Sequence, residues 1–210
     1  VKNDYKPWSG SGDPLLAHGE INLNSFQSYG LVAQHSQKFD FMNANLIVGS
    51  SVDYSPNEYN SKYIRVEKNN DGLYTGYTES DSLLTDYKAG LLNTALYTQL
   101  EFSPMERLKV VAAVRYDRIA YDYDNALDAT AFSGAPDEKN GFQHVSPKIG
   151  LTYDFGLGKG AYANYAVGFS PPGVGELYRG VKVPSLKPAT YSSYEVGTWL
   201  AFAQGKGYID

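Results

Sequence analysis

Three histidines and one acidic stretch are the residues whose types could bind a metal ion. His18, His35 and His144 lie far apart in the sequence, and a zinc site without cysteine would need carboxylates to complete it. The acidic residues between positions 120 and 138 are Asp122, Asp124, Asp128, Asp137 and Glu138. Calcium prefers such oxygen ligands, but their spacing matches no EF-hand. We predict a solvated acidic loop, histidines at the surface or at strand ends, and no metal site.

The sequence lacks the motifs that nucleophilic catalysis and nucleotide binding require. The sequence contains no G-x-S-x-G nucleophile elbow. Gly156, Gly158 and Gly160 lie between two segments with strand periodicity, so a dinucleotide site would lack its helix. We predict no enzymatic activity and no cofactor.

Residues 168–178 form the motif with the best physical argument for a special role. Gly168 and Gly173 permit backbone conformations that other residues resist. Pro171 and Pro172 remove hydrogen-bond donors, so the chain must leave a sheet there. The next residues open an outer loop: Glu176, Leu177 and Tyr178. Either the motif only shapes this exit from the strand, or it contacts a ligand or a neighbouring domain.

The composition indicates which elements must position these residues. The 210 residues include 19 Tyr, 21 Gly and 10 Pro but no Cys, and so many aromatic residues favour strands. The absence of cysteine excludes disulfides and thiolate zinc sites. No window approaches 18 consecutive apolar residues, which excludes a transmembrane helix. A transmembrane barrel stays possible, because its strands alternate apolar and polar residues.

The net charge and the first ten residues bear on the partner and on targeting. A net charge of −5 provides no basic footprint for nucleic acid. Residues 1–10 have neither a basic nor an apolar signal region, so we expect any signal peptide to lie outside this sequence.

Period-two alternation runs through most of the chain and predicts β-strands. In one segment, for example, Leu92, Leu96 and Leu100 fall on the face opposite Tyr97 and Gln99. The predicted strands are 42–54, 92–102, 108–117, 148–155, 161–169 and 195–202, with a weaker candidate at 26–36. Their apolar faces carry no Asp, Glu, Lys or Arg, whereas most of the opposing faces do.

Short and long connections alternate between these strands. The short links are near 37–41, 103–107, 156–160 and 204–207, and the long polar stretches are 55–89, 120–142 and 171–190. Transmembrane barrels have short periplasmic turns and long outer loops, whereas compact soluble domains seldom have loops beyond about 15 residues. Aromatic residues also end the apolar faces, where a barrel places its interfacial girdle: Tyr54, Phe102, Tyr116, Phe155, Phe169 and Phe202. We predict an all-β, antiparallel, up-and-down segment of a transmembrane β-barrel.

Four segments resemble the barrel of a TonB-dependent outer-membrane receptor. They are ALYTQLEFSPMERLKVVAAVRYD (95–117), VSPKIGLTYDF (145–155), YANYAVGFSPPGVGELYRG (162–180) and LKPATYSSYEVG (186–197). The most specific combination is GF-x-PP-x3-ELY followed by LKP-x5-YEVG. Its residues are Gly168, Phe169, Pro171, Pro172, Glu176, Leu177, Tyr178, Leu186, Lys187, Pro188, Tyr194, Glu195 and Gly197. The resemblance covers a little over half of the chain, from about residue 89 to the end.

The resemblance implies an active transporter in the outer membrane of a Gram-negative cell. Such receptors bind a scarce nutrient, typically a ferric siderophore, and import it with energy relayed by TonB. The family's barrel has about 22 strands and a plugged lumen, whereas this chain is long enough for roughly seven or eight. We therefore expect residues 1–210 to be a partial barrel, with the plug and the TonB box outside this sequence. Haem importers place a histidine between the two motifs, and 171–187 contains none, which disfavours haem.

The resemblance also assigns the two faces of the sheet and the outer loops. The polar face would line the lumen and touch the plug, and the apolar face would contact outer-membrane lipid. The predicted lumen-facing residues are Tyr97, Gln99, Arg115, Tyr162, Asn164, Glu195 and Trp199. In the outer loops, Tyr121, Tyr123, Arg179 and Lys182 would bind the ligand, because aromatic rings and cations suit an anionic, catecholate-like compound.

Two other classes of protein remain open from the sequence. A small, complete eight-stranded barrel with a structural or adhesive role should close with a final strand, typically ending in an aromatic residue. The sequence ends instead at Asp210, after an unfinished strand. A soluble carbohydrate-binding β-domain, favoured by the tyrosine count, would bury Leu96, Val110 and Leu151 between two sheets.

Overall fold

The described part of the chain is one antiparallel sheet. The computed structural model describes residues 2–3, 18–202 and 207–209. The strands are β1 (Lys2–Asn3), β2 (His18–Phe26), β3 (Tyr29–Phe39), β4 (Ala44–Lys68), β5 (Tyr74–Met105), β6 (Leu108–Asn125), β7 (Glu138–Gly156), β8 (Lys159–Ser170), β9 (Ala189–Phe202) and β10 (Gly207–Ile209). A 3-10 turn lies at Phe41–Asn43, and a five-residue helix, α1, lies at Val174–Tyr178. Within the described residues, no helix has the length and apolar character needed to cross a bilayer.

Strands that follow one another in sequence are neighbours in the sheet, except that β2 and β3 both pair with β4. The order is β1-β2-β4-β5-β6-β7-β8-β9-β10, and β3 also pairs with β4. Residues of β2 pair with 57–65 of β4, and residues of β3 pair with 44–54. Strands β2 and β3 therefore follow the same edge of β4 and are interrupted at 27–28. The predicted all-β, up-and-down antiparallel fold is confirmed.

The prediction of a loop over 55–89 is wrong. Strands β4 and β5 contain 25 and 32 residues and continue as a hairpin beyond Tyr54 and Leu92. The hairpin turns at 69–73, where the backbone amides of Asp71 and Leu73 donate to Asn69 Oδ1 at 3.1 and 2.8 Å. Both faces of this extension are polar or tyrosine-rich, so its sequence lacks the apolar alternation by which a half-buried strand is identified.

The two kinds of connection lie at opposite ends of the sheet. Short turns at 106–107 and 157–158 join β5 to β6 and β7 to β8. The β4–β5 hairpin turn and the segments 126–137 and 171–188 lie at the other end, as the antiparallel order requires. The predicted turn at 204–207 falls largely outside the described residues.

One face of the sheet is a band of exposed apolar side chains. Register places Leu46, Leu100, Ala112 and Ile149 side by side on β4, β5, β6 and β7. Leu96 is 63% exposed and Leu151 is 43% exposed, so no second sheet covers this face in the described structure. Exposed aromatic side chains lie toward both ends of the band: Tyr29, Tyr54 and Tyr116 toward the long connections, and Phe39, Phe41, Tyr153 and Phe155 toward the short turns. This arrangement is typical of a barrel wall and excludes the soluble sandwich.

Phe169 does not belong to this apolar band, contrary to the prediction. Pairing between β7 and β8 ends at Lys148 and Ala166, next to Pro147, which has no amide hydrogen to donate. Beyond this point β8 stays paired with β9 but not with β7. Because the strands separate there, Phe169 reaches His144 and stacks on it at 4.7 Å between ring centroids.

The buried core lies on the polar face, at the end with the long connections. Its members are Ala89, Ile119, Tyr121, Tyr123, Ala135, Leu177 and Tyr178. A smaller cluster contains Ile21, Ile64 and Val66. The long connections therefore fold back over this face and bury side chains against the strands.

Candidate functional site

A cavity of about 370 Å³ lies where the long connections meet the polar face. We call it the rim cavity. Strands β2, β4, β5 and β6, the segment 126–137 and helix α1 all contribute to its wall. Its lining residues are Glu20, Tyr59, Thr85, Tyr87, Tyr123, Phe132, Ser133, Gly134, Val174, Gly175, Tyr178 and Arg179. The volume is within the range of small-molecule binding sites, about 300–1,000 Å³.

Four tyrosines form a continuous row of contacting rings along this cavity, which we call the tyrosine row. Tyr59 and Tyr87 are direct cross-strand partners with ring centroids 5.4 Å apart. Tyr87 contacts Tyr123 at 5.2 Å. Tyr123 stacks on Tyr178 of α1 at 4.2 Å, with the two ring planes only 6° apart. Aromatic contacts of this kind contribute about 0.5–1.5 kcal/mol each beyond burial, so the row joins three strands to the helix.

Hydrogen bonds fix helix α1 and the segment 126–137 over the strands. The Tyr121 hydroxyl donates to the Pro172 carbonyl at 2.8 Å, and the Tyr178 hydroxyl donates to Asn140 Oδ1 at 2.6 Å. The backbone amide of Ala135 donates to the carbonyl of Tyr178 at 2.9 Å. The two connections are therefore bound to each other as well as to the sheet.

The phenols of the row are neutral at physiological pH. Burial raises the pKa of Tyr123 and of Tyr178 to about 12, with smaller contributions from neighbouring phenols and carboxylates. Burial also raises the pKa of Tyr59, and the nearby carboxylate of Glu20 raises it further. The half-buried rings of Tyr59 and Tyr87 therefore offer apolar surface and neutral hydroxyl groups, not phenolate charge, whereas Tyr123 and Tyr178 are buried against each other.

The predicted ligand-binding tyrosines are not loop residues. Tyr121 and Tyr123 lie on β6 and are only 5% and 2% exposed, since α1 covers them. Tyr121 is occupied in anchoring Pro172, whereas Tyr123 lines the rim cavity. Arg179 and Lys182 are exposed in the segment after α1, and Arg179 lines the cavity.

The motif 168–178 forms the exit from β8, as predicted, but not for the expected backbone reason. Strand β8 ends at Ser170, just before Pro171 and Pro172. Gly168 and Gly173 do not have positive φ angles, so the conformational argument for these glycines is wrong. The residues that follow form a helix, in which Leu177 and Tyr178 are buried and Glu176 accepts a hydrogen bond from the Gly173 amide at 2.8 Å.

The second part of the motif leads into β9. Leu186 and Lys187 are exposed in the segment before the strand, and Pro188 is half-buried. Tyr194 is 78% exposed and its ring contacts Tyr165 at 4.9 Å.

The residues predicted to face the lumen lie on the polar face in two groups. Arg115 forms an ion pair of 2.9 Å with the buried carboxylate of Asp117 and lies near the ring of Tyr97. Glu195 accepts hydrogen bonds from Tyr162 at 3.3 Å and Asn164 at 3.1 Å. The remaining two contact their own surroundings: Gln99 donates to Glu101, and Trp199 covers Gly160. Their contact with a substrate or a plug stays a prediction.

The histidines and the acidic stretch do not come together. Among the described residues, no group of three or more His, Cys, Asp or Glu side chains could hold a metal ion. His35 is exposed on β3, His144 lies on the polar face against Phe169, and the side chain of His18 is outside the described part. The acidic residues are exposed, and Asp122 pairs with Lys139 at 2.7 Å.

Three residues of the cavity were missed from sequence, two because they lie in the segment interpreted as a loop and one because its strand was not predicted. Tyr59 and Tyr87 occupy equivalent positions on paired strands, and Glu20 is on β2, which the alternation did not predict. The one available signal was the tyrosine content of 55–89, whose two strands pair with each other with three register shifts.

We expect Gly134→Ala to loosen the contact between the two long connections. Gly134 has φ +102°, and an added Cβ would lie 2.7 Å from the Tyr178 carbonyl oxygen. The combined strain and clash should cost about 1–3 kcal/mol, because the other atom is backbone and cannot rotate away. We expect the Ala135 amide, which donates to the Tyr178 carbonyl, to exchange its hydrogen faster in this variant than in the unsubstituted protein. Gly175→Ala is the matched control, since nothing lies within 4 Å of an added Cβ there; equal exchange in both variants would contradict the prediction.

An open antiparallel sheet with an apolar outer band, a polar inner face and long connections at one end defines the wall of a large β-barrel. The chain belongs to the TonB dependent receptor-like, beta-barrel family, whose sequence profile matches residues 2–209.

Solved structures of this kind share the fold at low sequence identity. The ferric citrate transporter FecA in its unliganded form is 16% identical, with a TM-score of 0.60 over 88% of this chain and 28% of that one. The siderophore receptor PiuA from Acinetobacter baumannii is 14% identical, with a TM-score of 0.56 over 90% of this chain and 31% of that one. The copper transporter OprC is 17% identical, with a TM-score of 0.61 over 88% and 28%. The chain thus spans about 30% of the length of these structures. No curated protein sequence matches it.

Proposed function

We propose that the chain is part of an outer-membrane receptor that imports a scarce nutrient, a ferric siderophore, with energy supplied through TonB. Family membership supports the receptor class, and the rim cavity is the observation that supports ligand capture. In this proposal residues 1–210 are one section of a larger barrel, and the plug that contacts TonB belongs to the rest of the receptor.

The apolar band supports placement in the membrane. On β6 it runs from Leu108 to Tyr116, which matches the roughly 9–11 residues of a tilted transmembrane strand. The rim cavity lies beyond this band on the side of the long connections. In the proposed orientation those connections are extracellular, and the short turns face the periplasm.

The geometry of the cavity suits a compact iron chelate. Rigid strands hold Tyr59, Tyr87 and Tyr123, so the aromatic surface is preorganised before the ligand arrives. The chelate would lie against Tyr59 and Tyr87, the half-buried members of the tyrosine row, with its iron-ligating oxygens toward Arg179. These oxygens carry negative charge density in any ferric chelate, and the Arg179 guanidinium offers several donors.

Removing two of the three cations in the segment after α1 should weaken capture. We expect Arg179→Ala combined with Lys182→Ala to reduce the uptake of radioactive ferric siderophore by about fivefold at low ionic strength, since exposed charges contribute about 1 kcal/mol or less. The loss should shrink at high salt, because charges are screened over roughly 8–10 Å at physiological ionic strength. Uptake by cells producing the whole receptor is the measurement.

Lys187→Ala provides the control for this test. Lys187 is an exposed cation of the same segment that, like Lys182 and unlike Arg179, does not line the cavity. If uptake and its salt dependence were unchanged in the double variant, Arg179 and Lys182 would have no role in capture. An equal loss in Lys187→Ala would lead to the same conclusion, because the effect would then not be specific to these two residues.

A further inference from the structure

The two charges of the rim cavity lie at opposite ends of the tyrosine row. Glu20 is next to Tyr59, whose pKa its carboxylate raises, and Arg179 follows Tyr178 in the chain. Of the described residues that line the cavity, Glu20 alone is acidic and Arg179 alone is basic. Three ring-to-ring contacts separate the two ends of the row.

The Glu20 carboxylate is incompletely paired within the described structure. It accepts one hydrogen bond, from the Ser61 hydroxyl at 3.3 Å, and the ion pairs of the described residues do not include it. The side chain is half-buried, and the Ser61 beside it is only 1% exposed. A carboxylate that is partly removed from water and forms no ion pair with a described residue favours a ligand that brings a positive charge or a hydrogen-bond donor.

The outer segments around the cavity carry a net negative charge, the same sign as Glu20. The outer segments 55–89, 120–142 and 171–190 contain 12 carboxylates against 8 cations. Burying a second anion against Glu20 would therefore add repulsion that the surroundings do not offset. This distribution differs from the sequence-based expectation of an anionic, catecholate-like ligand.

We propose that the rim cavity selects a dipolar ligand: its cationic or donor group binds Glu20, its body lies against Tyr59 and Tyr87, and its oxygen-rich end faces Arg179. Glu20 is then a specificity residue that excludes polyanionic complexes. This inference rests on the proposed function, because it assigns a charge pattern to the chelate that the receptor captures.

Three ferric probes separate the possibilities. Ferrioxamine B has a neutral ferric trihydroxamate centre and an ammonium at its free end, so it carries one positive charge. Its N-acetyl derivative lacks that charge, and a ferric tris-catecholate carries three negative charges. Binding of each to the detergent-solubilised whole receptor would be followed by quenching of intrinsic fluorescence. We expect the ammonium probe to bind about fivefold more tightly than its acetylated form, as for one partly exposed ion pair, and the trianion to bind most weakly.

The variant Glu20→Gln keeps the shape of the side chain and removes its charge. It should abolish the preference for the ammonium probe and improve binding of the trianion. Glu58→Gln is the matched control, since Glu58 lies on β4, the strand paired with β2, but forms an ion pair with Lys88 at 3.1 Å and does not line the cavity. An ammonium preference that survives Glu20→Gln, or a wild-type receptor that binds the trianion most tightly, overturns the inference. Failure of the proposed function differs: a folded receptor then binds none of the three probes.

Discussion

Replacing Leu96 by arginine is expected to destabilise the folded barrel by about 2–4 kcal/mol in lipid, the cost of a cation near the middle of a barrel's lipid face. Leu96 lies within the apolar band, paired with Ser50 and Tyr116, and is 63% exposed in the sheet. In water, an arginine at so exposed a position would cost little. A large loss therefore requires that this face contacts hydrocarbon.

The measurement is urea unfolding of the whole receptor refolded into phosphatidylcholine vesicles. Gln99→Arg is the matched control, because Gln99 lies on the same strand but on the polar face. We expect this control to change the free energy of unfolding by less than about 1 kcal/mol. Equal effects of the two substitutions would show that the two faces do not differ in environment, and the membrane orientation would have to be abandoned.

The apolar band was predictable because a strand has a strict period of two. Residues such as Leu96 and Leu100 on β5, or Ile149 and Leu151 on β7, share a face in any register that pairs their strands. The alternation therefore indicated which residues form the apolar band without knowledge of the strand order. Short turns at every second connection then indicated the up-and-down order.

The rim cavity was not predictable in the same way, because tertiary contacts build it. Nothing in the sequence near Tyr123 indicates that α1 folds back from a position about 50 residues later and stacks Tyr178 on its ring. The same contact explains why Tyr123, which the sequence placed in an outer loop, is buried. Phe169 shows the opposite effect: its parity predicts a lipid contact, but β8 separates from β7 before that residue.

Replacing Tyr178 by alanine is expected to have the largest effect on the site itself. The side chain is 2% exposed, stacks on Tyr123 and donates to Asn140. Truncating a buried aromatic residue costs about 3–5 kcal/mol, and this cost falls on the attachment of α1 to the sheet. We expect the segments 126–137 and 171–188 to lose protection from proteolysis and siderophore uptake to fall to background.

Tyr178→Phe isolates the reason for that loss. Phenylalanine keeps the stacking on Tyr123 and gives up only the hydrogen bond to Asn140, worth about 1 kcal/mol, so α1 should stay attached and uptake should be reduced only slightly. The barrel strands remain paired in both variants, and the protection of backbone amides in β5 and β6 from hydrogen exchange should therefore be unchanged. If Tyr178→Ala left 171–188 protected, the tyrosine row would not hold this segment. If it kept full uptake after releasing the segment, capture would not depend on the rim cavity, because the wall that Tyr178 and Arg179 supply would be missing.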